Sequence, residues 1–327
     1  MRRRRFKLRR LSFALFGIAL ICGARLEAQT GLVPEAIQFL LPIGARSVGA
    51  GQAVVAGGFG AEAIAWNPAV ISRGPREFAF SLAEQANDIV ATDADVALVW
   101  PVPRVGSFAV SLRYTIEEDQ QSVDDKGVLR GTFNLNSIIA AATFSAPFGN
   151  RLAAGITVKF LQQGASCTGS CDLSAFPPRT AGADVGLQYL LTNDSVVTIG
   201  ASVLNTGFPL QVNDAPQADL LPTRALVGVS VIPRFSNAPK ELRTRFEADV
   251  IKRLSGGGPG YRFGGELSWQ NQYVARAGYQ LYTPTGSGPT VGVGLATQKL
   301  RIDFAQVFTD LGVGLGKPTF LSLRYLF

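Results

Sequence analysis

The sequence predicts an all-β fold: a transmembrane antiparallel β-barrel of about 14 strands, preceded by a small N-terminal plug. Three observations carry this. Apolar residues alternate with polar or small ones in one short segment after another from residue 76 to the C-terminus. The links between those segments are short and long by turns. The chain is 47% apolar and only 17% charged, yet outside the N-terminus no apolar run reaches the ~18 to 20 residues that a membrane-crossing helix needs. A helical membrane protein is excluded, and the aromatic residues spread along the chain exclude intrinsic disorder.

Successive side chains of a strand point to opposite faces, so a strand with one greasy side reads as strict alternation. Phe78, Phe80 and Leu82 oppose Glu77, Ala79 and Ser81, and Phe108, Val110, Leu112, Tyr114 and Ile116 oppose Ser107, Ser111 and Arg113. The pattern recurs in Leu152, Ala154, Ile156, Val158 and Phe160, in Val185, Leu187, Tyr189 and Leu191, and in Val197, Ile199, Ala201 and Val203. Counted through, it predicts strands at 76–84, 89–100, 104–116, 131–146, 151–163, 180–191, 196–207, 223–233, 241–253, 260–269, 272–282, 289–297, 299–308 and 318–327. A soluble sandwich also alternates, so the links decide. Those at 101–103, 148–151, 192–195, 270–271 and 298 are short, whereas 117–130, 164–179, 207–222 and 310–317 are longer and polar; the link at 233–240 breaks the rule. Short periplasmic turns against longer outer loops is the asymmetry of bacterial barrels. Both chain ends are then expected in the periplasm.

The basic balance of the chain sits at its start. Arg2 to Arg5, Lys7, Arg9 and Arg10 precede an apolar stretch at 11–24 and a small-residue neighbourhood ending at Ala28, the layout of a secretory signal peptide. Ile21 stands where a lipidation site at Cys22 would want a small residue, so an ordinary signal peptide, residues 1–28, is expected. Its removal takes away eight of 31 basic and one of 24 acidic residues and leaves 23 of each, so nucleic acid is not an expected partner. Cys167 and Cys171 remain, and a close pair in an exported chain is most simply a disulfide in an outer loop. The chain has no histidine, which removes the Ser-His-Asp triad, the Cys-His pair and histidine metal sites; no catalytic residue, metal or cofactor is expected.

If the apolar parity faces lipid, the other parity lines the lumen. It carries Asp93, Asp95, Arg113, Lys159, Asp184, Arg243, Arg245, Glu247, Asp249, Arg253, Arg262, Glu266, Arg276, Arg301, Asp303 and Arg324. Charge on the lipid face costs ~2 to 4 kcal/mol near the midplane, so the interior is the cheaper place. The expectation is that these groups pair across the lumen as a salt-bridge network that fills the barrel.

Residues 29–75 have a different texture. The stretch 39–72, FLLPIGARSVGAGQAVVAGGFGAEAIAWNPAVIS, is rich in small residues and poor in charge, which suits a plug packed closely against other backbone. Gly44, Ala45, Arg46, Gly49, Gly51, Ala53 and the turn Trp66, Asn67, Pro68 and Ala69 resemble the N-terminal signature of the PorV/PorQ family of outer-membrane proteins, part of the wider FadL-like group. That resemblance implies a fourteen-stranded barrel and one of two functions: a type IX secretion-associated shuttle receiving exported cargo, or a FadL-like transporter of hydrophobic small molecules. The charged lumen favours the shuttle, since a greasy solute gains nothing from a mixed-charge path. The implied partners are outer-membrane lipid, secretion components with their cargo, and the barrel assembly machinery, whose recognition signal the last strand resembles with Leu321, Leu323, Tyr325 and the terminal Phe327.

Fractionation of expressing cells is expected to place the mature chain in the outer membrane with heat-modifiable gel mobility. Recovery as a soluble periplasmic monomer would overturn the barrel reading.

Overall fold

The computed structural model describes residues 36–327 except 59, 86–90, 118, 124–125, 171–177, 193–195, 211–219, 236–237, 284–285 and 309–316. The signal peptide expected at 1–28 and the second cysteine, Cys171, lie outside the described residues. The strands are β1 (Glu77–Gln85), β2 (Ala91–Val102), β3 (Gly106–Glu117), β4 (Gln120–Val123), β5 (Leu129–Phe148), β6 (Leu152–Gly169), β7 (Arg179–Leu190), β8 (Val197–Gly207), β9 (Arg224–Val231), β10 (Leu242–Arg253), β11 (Pro259–Trp269), β12 (Tyr273–Thr283), β13 (Gly286–Ala296), β14 (Leu300–Val307) and β15 (Thr319–Leu326).

All pairings are antiparallel between chain neighbours, with two exceptions that make the ring. β3 pairs directly with β5, from Ser107↔Ser145 to Ile116↔Asn136, and β15 returns to β1, from Glu77↔Leu326 to Glu84↔Thr319. Fourteen strands close the barrel, and β4 stands outside it on the long-loop end of β5. The alternation works as expected: Ile156, Val158 and Phe160 are exposed to the membrane side while Gly155 and Thr157 face in. At the short-turn rim Trp100, Trp269, Tyr273 and Phe327 form an aromatic girdle. There the Arg76 guanidinium lies 3.3 Å from the Trp100 ring centre and 4.6 Å from that of Phe327, pinning the closing seam.

Two strands run further than the alternation predicts. β5 and β6 stay paired out to Gly131↔Gly169, and β4 adds to them, so part of the expected loops at 117–130 and 164–179 is sheet. On this outer reach Asn134, Ser166, Thr168 and Gln121 replace the lipid-facing apolar parity, so the alternation does not report β4 or the end of β6. Cys167 sits on this extension opposite Phe133 and is disulfide-bonded.

The described residues from 36 to 72 lie inside the barrel. Their short elements are a 3-10 turn at Ile37–Phe39, helix α1 (Ala45–Gly49), and 3-10 turns at Ala61–Ala65 and Pro68–Arg73. Val48, Val55, Trp66 and Ile71 are at most 1% exposed, and burying one such side chain is worth about 1.5 to 3 kcal/mol. Phe39 packs with Ile139, Leu161 and, beyond the long-loop end of β8, Leu210 and Leu221, so the segment begins in the long-loop half. It then descends to the short-turn rim, where β1 starts.

Backbone meets backbone all along this descent. A Cβ on Gly49 would lie 2.9 Å from Gly292 Cα, and one on Gly51 would lie 2.4 Å from the Phe263 carbonyl. The wall reciprocates with an inward-facing glycine on strand after strand: Gly155 against Pro68, Gly186 against Asn67, Gly200 against Val55, Gly264 against Ala50 and Gly278 against Gly51. At Gly278 an added Cβ would come 2.1 Å from the Gly51 nitrogen, and neither backbone has room to retreat. Gly278→Ala is therefore expected to cost about 1 to 3 kcal/mol as overpacking, read as a lower melting temperature of the folded band. Gly258→Ala, with open space around it, is expected to leave that temperature unchanged.

Candidate functional site

The plug is held by a chain of buried charges that begins and ends on the plug itself. Arg46 Nε lies 3.3 Å from Glu266 Oε2, which also accepts from Arg276 Nε at 2.8 Å. Arg276 Nη1 reaches Asp303 Oδ1 at 2.6 Å, and Asp303 Oδ2 lies 3.4 Å from Arg324 Nη2. Arg324 faces Glu62 of the plug and Glu77 of β1, each at 4.0 Å. Glu77 Oε1 in turn accepts the Ala61 N–H at 3.0 Å. Burial pulls the Arg46 guanidinium down to about 10, with Glu266 opposing, so it stays charged at neutral pH. Burial pushes the Glu62 carboxyl above the usual carboxylate range, and Arg324 draws it part of the way back.

Other lumen charges reach the plug or pair along the wall. Asp249 Oδ2 accepts the Val55 N–H at 3.1 Å, Arg245 donates to the Gly57 carbonyl, and Arg262 donates to Gln52 Oε1 at 3.0 Å. Arg245 also lies 3.8 Å from Glu247. Arg113 donates to the carbonyls of Gln38 and Leu41 at 3.0 and 3.1 Å, with Asp95 at 3.9 Å. Lys159 bonds Asp184 at 2.7 Å. These contacts correct the expectation of pairing across an otherwise charge-filled lumen: the filler is the plug, and the charges pair along the wall and onto it. Arg243 is exposed at the short-turn rim, so the strand parity that pointed it inward did not place it in the buried network; Arg301 is half-buried.

Trp66, Asn67 and Pro68 hold the centre of the plug. Asn67 Nδ2 donates to the Val55 carbonyl at 2.8 Å and to the wall carbonyl of Leu187 at 2.9 Å, while its Oδ1 accepts the Ala69 N–H at 3.0 Å. Pro68 follows at the first position of a 3-10 turn, where a missing N–H costs nothing. The Trp66 ring faces Arg262 and Arg224, with guanidinium carbons 5.0 and 5.7 Å from its centre. Gly44, with φ of 82°, lies against the Glu62 carboxyl, where only a glycine fits.

Between the upper plug and the wall lies a cavity of about 70 Å³. Its plug side sets Phe39, Leu41, Ile43, Ile64 and Trp66 beside the carboxylate of Glu62; its wall side carries Asp95, Arg113, Lys159, Asp184, Asn205 and Arg224. Glu62, Glu77 and Arg224 are site charges absent from the lumen set drawn from the sequence. Arg224 shares its parity with Gly228 and Ser230, and extending the alternation to the first residue of β9 would have found it.

The fold and its filling define the class: a plugged fourteen-stranded barrel of the outer-membrane type. No family model matches the chain, and no curated protein matches it. Solved structures do. The chain is similar to the Pseudomonas putida toluene transporter TodX, with a TM-score of 0.56 and 14% identity over 85% of this chain and 95% of that one. It is similar also to the CymD monoaromatic hydrocarbon channel, with a TM-score of 0.58 and 14% identity over 88% of this chain and 98% of the other. These neighbours are FadL-family outer-membrane barrels, channels rather than enzymes, and at this identity the likeness is one of fold.

Asp303 bridges two buried guanidiniums, so Asp303→Asn is expected to cost about 3 to 5 kcal/mol, the usual effect of removing one partner of a buried ion pair. Arg243→Ala at the exposed rim is expected to change stability by less than about 0.5 kcal/mol. Thermal unfolding of the two purified variants against the parent chain measures both.

Proposed function

We propose that the chain is a plugged channel of the bacterial outer membrane, reached after signal-peptide cleavage, that passes small and largely apolar molecules. The single observation that carries this is the cavity between an internal plug and the wall, lined on its plug side by Phe39, Leu41, Ile43 and Trp66. The likeness to a toluene transporter and a monoaromatic hydrocarbon channel supports the same reading. The shuttle reading drawn from the PorV/PorQ-like signature was favoured by a lumen filled with paired charge. The plug rather than a salt-bridge network fills the lumen, and a solute entering beside it meets Phe39 and Leu41 as well as paired ions.

A channel with this filling conducts only if the plug shifts. Ala45 N–H donates to Ser322 Oγ at 2.8 Å, which brings α1 and β15 close enough for a disulfide. Ala45→Cys with Ser322→Cys is expected to stop toluene uptake into proteoliposomes when oxidised and to restore it on reduction. Deleting residues 36–66 is expected to give a large steady conductance in planar bilayers. Silence of a demonstrably folded deletion barrel, together with uptake indifferent to the cross-link, would return the shuttle reading to first place.

A further inference from the structure

Charge is sorted along the barrel axis. Residues 29–327 carry 23 basic and 23 acidic side chains, so an even spread would leave both ends of the barrel neutral. Yet the short-turn links 73–76, 103–105, 149–151, 191–196, 232–241, 270–272 and 297–299 hold seven basic side chains and two acidic ones. The long-loop links 86–90, 118–128, 170–178, 208–223, 254–258, 284–285 and 308–318 hold two basic and nine acidic. The bases of the short-turn end stand at the depth of the aromatic girdle. A link of three residues has to go out and come back, so it rises no more than about 5 Å beyond the strand ends. Arg104, Arg151 and Lys299, each on such a link, therefore start from the headgroup layer that Trp100, Trp269 and Tyr273 mark.

These bases are short of acids. Among the described residues Arg73, Arg76, Arg104, Lys240 and Lys299 make no ion pair. Arg73 donates instead to the carbonyls of Gly149 and Leu152 at 3.3 and 2.9 Å, and Arg76 lies against the rings of Trp100 and Phe327. A guanidinium stacked on a ring keeps edge N–H groups for an acceptor such as a phosphate. Apolar side chains are interleaved with the charge: Val105 beside Arg104 is 50% exposed, and Phe235 beside Arg234 is 57% exposed. A basic surface set with apolar side chains suits the boundary between headgroups and acyl chains. An acidic soluble protein would instead be met by bases that project into water, and Arg73 and Arg76 are held flat on the rim. We propose that the short-turn rim binds anionic phospholipid of the leaflet that faces the periplasm, with headgroup phosphates received among Arg76, Arg104, Lys240 and Lys299 and acyl chains lying along the girdle. The opposite charge at the long-loop end restricts the preference to that one leaflet. The inference goes beyond what the barrel passes and stands on its girdle and its orientation alone.

Electron spin resonance of the full chain in phosphatidylcholine vesicles, with spin-labelled phosphatidylglycerol or spin-labelled phosphatidylcholine as the probe, tests it. At low salt the labelled phosphatidylglycerol is expected to associate with the barrel about threefold or more above phosphatidylcholine, a cautious figure where one base near an anionic surface is worth about fivefold. Arg104→Gln with Lys240→Gln and Lys299→Gln, all exposed side chains, is expected to bring the two lipids within about 1.5-fold of each other. Lys126→Gln with Lys317→Gln at the long-loop end is expected to leave the preference unchanged. Equal association of both lipids in the parent chain overturns the proposal and leaves the rim to an acidic soluble partner, and a preference that survives the triple replacement overturns it equally. Should the triple variant lose its heat-modifiable fold, salt decides: at about 1 M, where the screening length is about 3 Å, the preference of the parent chain is expected to vanish, and one that persists overturns the proposal. Glycerol phosphate against chloride at equal ionic strength separates the lipid from a free phosphate. The preference is expected to be the same in both, and its loss in glycerol phosphate alone assigns the rim to a soluble anion and overturns the lipid reading.

Discussion

A fourteen-stranded barrel is too wide for its own side chains to meet in the middle. Eight strands leave an interior that side chains fill, and sixteen or more leave a water-filled passage. Inward-facing residues of this wall must therefore be hydrated or be met by something else, and here the chain supplies its own residues 36–76. The wall has adapted to that guest. Gly155, Gly186, Gly200, Gly264, Gly278 and Gly292 present bare backbone at the heights where the plug passes. Opposite the last three the plug sets Ala50, Gly51 and Gly49.

The same width explains the electrostatics. Groups on opposite walls are out of reach of one another, so Glu266, Arg276, Asp303 and Arg324 link along one side of the wall instead, Arg276 reaching Asp303 past β13, and Arg46 and Glu62 extend the line onto the plug. Removing a charge from water costs several kcal/mol unless it is paired and hydrogen-bonded. The alternation of sign along this line means that each inner member faces opposite charge on both sides. Such an arrangement orients the plug more than it binds it: the wrong seating would leave Arg46 or Glu62 buried against like charge.

Much of the barrel was legible because the membrane imposes a rule on every lipid-facing position. Phe78, Val110, Ile156 and Leu321 must be apolar, and the strand count and the order of short and long links follow from tracing them. The rule stops where lipid stops. The outer reach of β6 loses its lipid-facing apolar parity, so Ser166 read as loop although it is paired with Asn134 in the sheet. Parity likewise says which side of the wall a residue occupies but not how deep it sits, which is why Arg243 at the rim and Arg262 at full burial carried the same sequence signal. The close fit of the plug was legible in kind, through glycines at 44, 49 and 51, but its partners depend on contacts across more than two hundred residues, such as Gly49 with Gly292. No local pattern encodes those.

The route of the plug has a consequence for the order in which this molecule is built. The segment precedes β1 in the chain, touches β6 to β8 through Pro68, Asn67 and Val55, and touches β11 to β15 through Ala50, Gly51, Gly49 and Ala45. Its binding surface is thus incomplete until the last strand arrives, and once β15 zips to β1 no gap remains through which residues 36–76 could be laid in from the side. Insertion and closure are then not separable steps. The earliest-synthesised residues act as a mandrel around which the later strands curl, and the circumference is decided by the object it encloses.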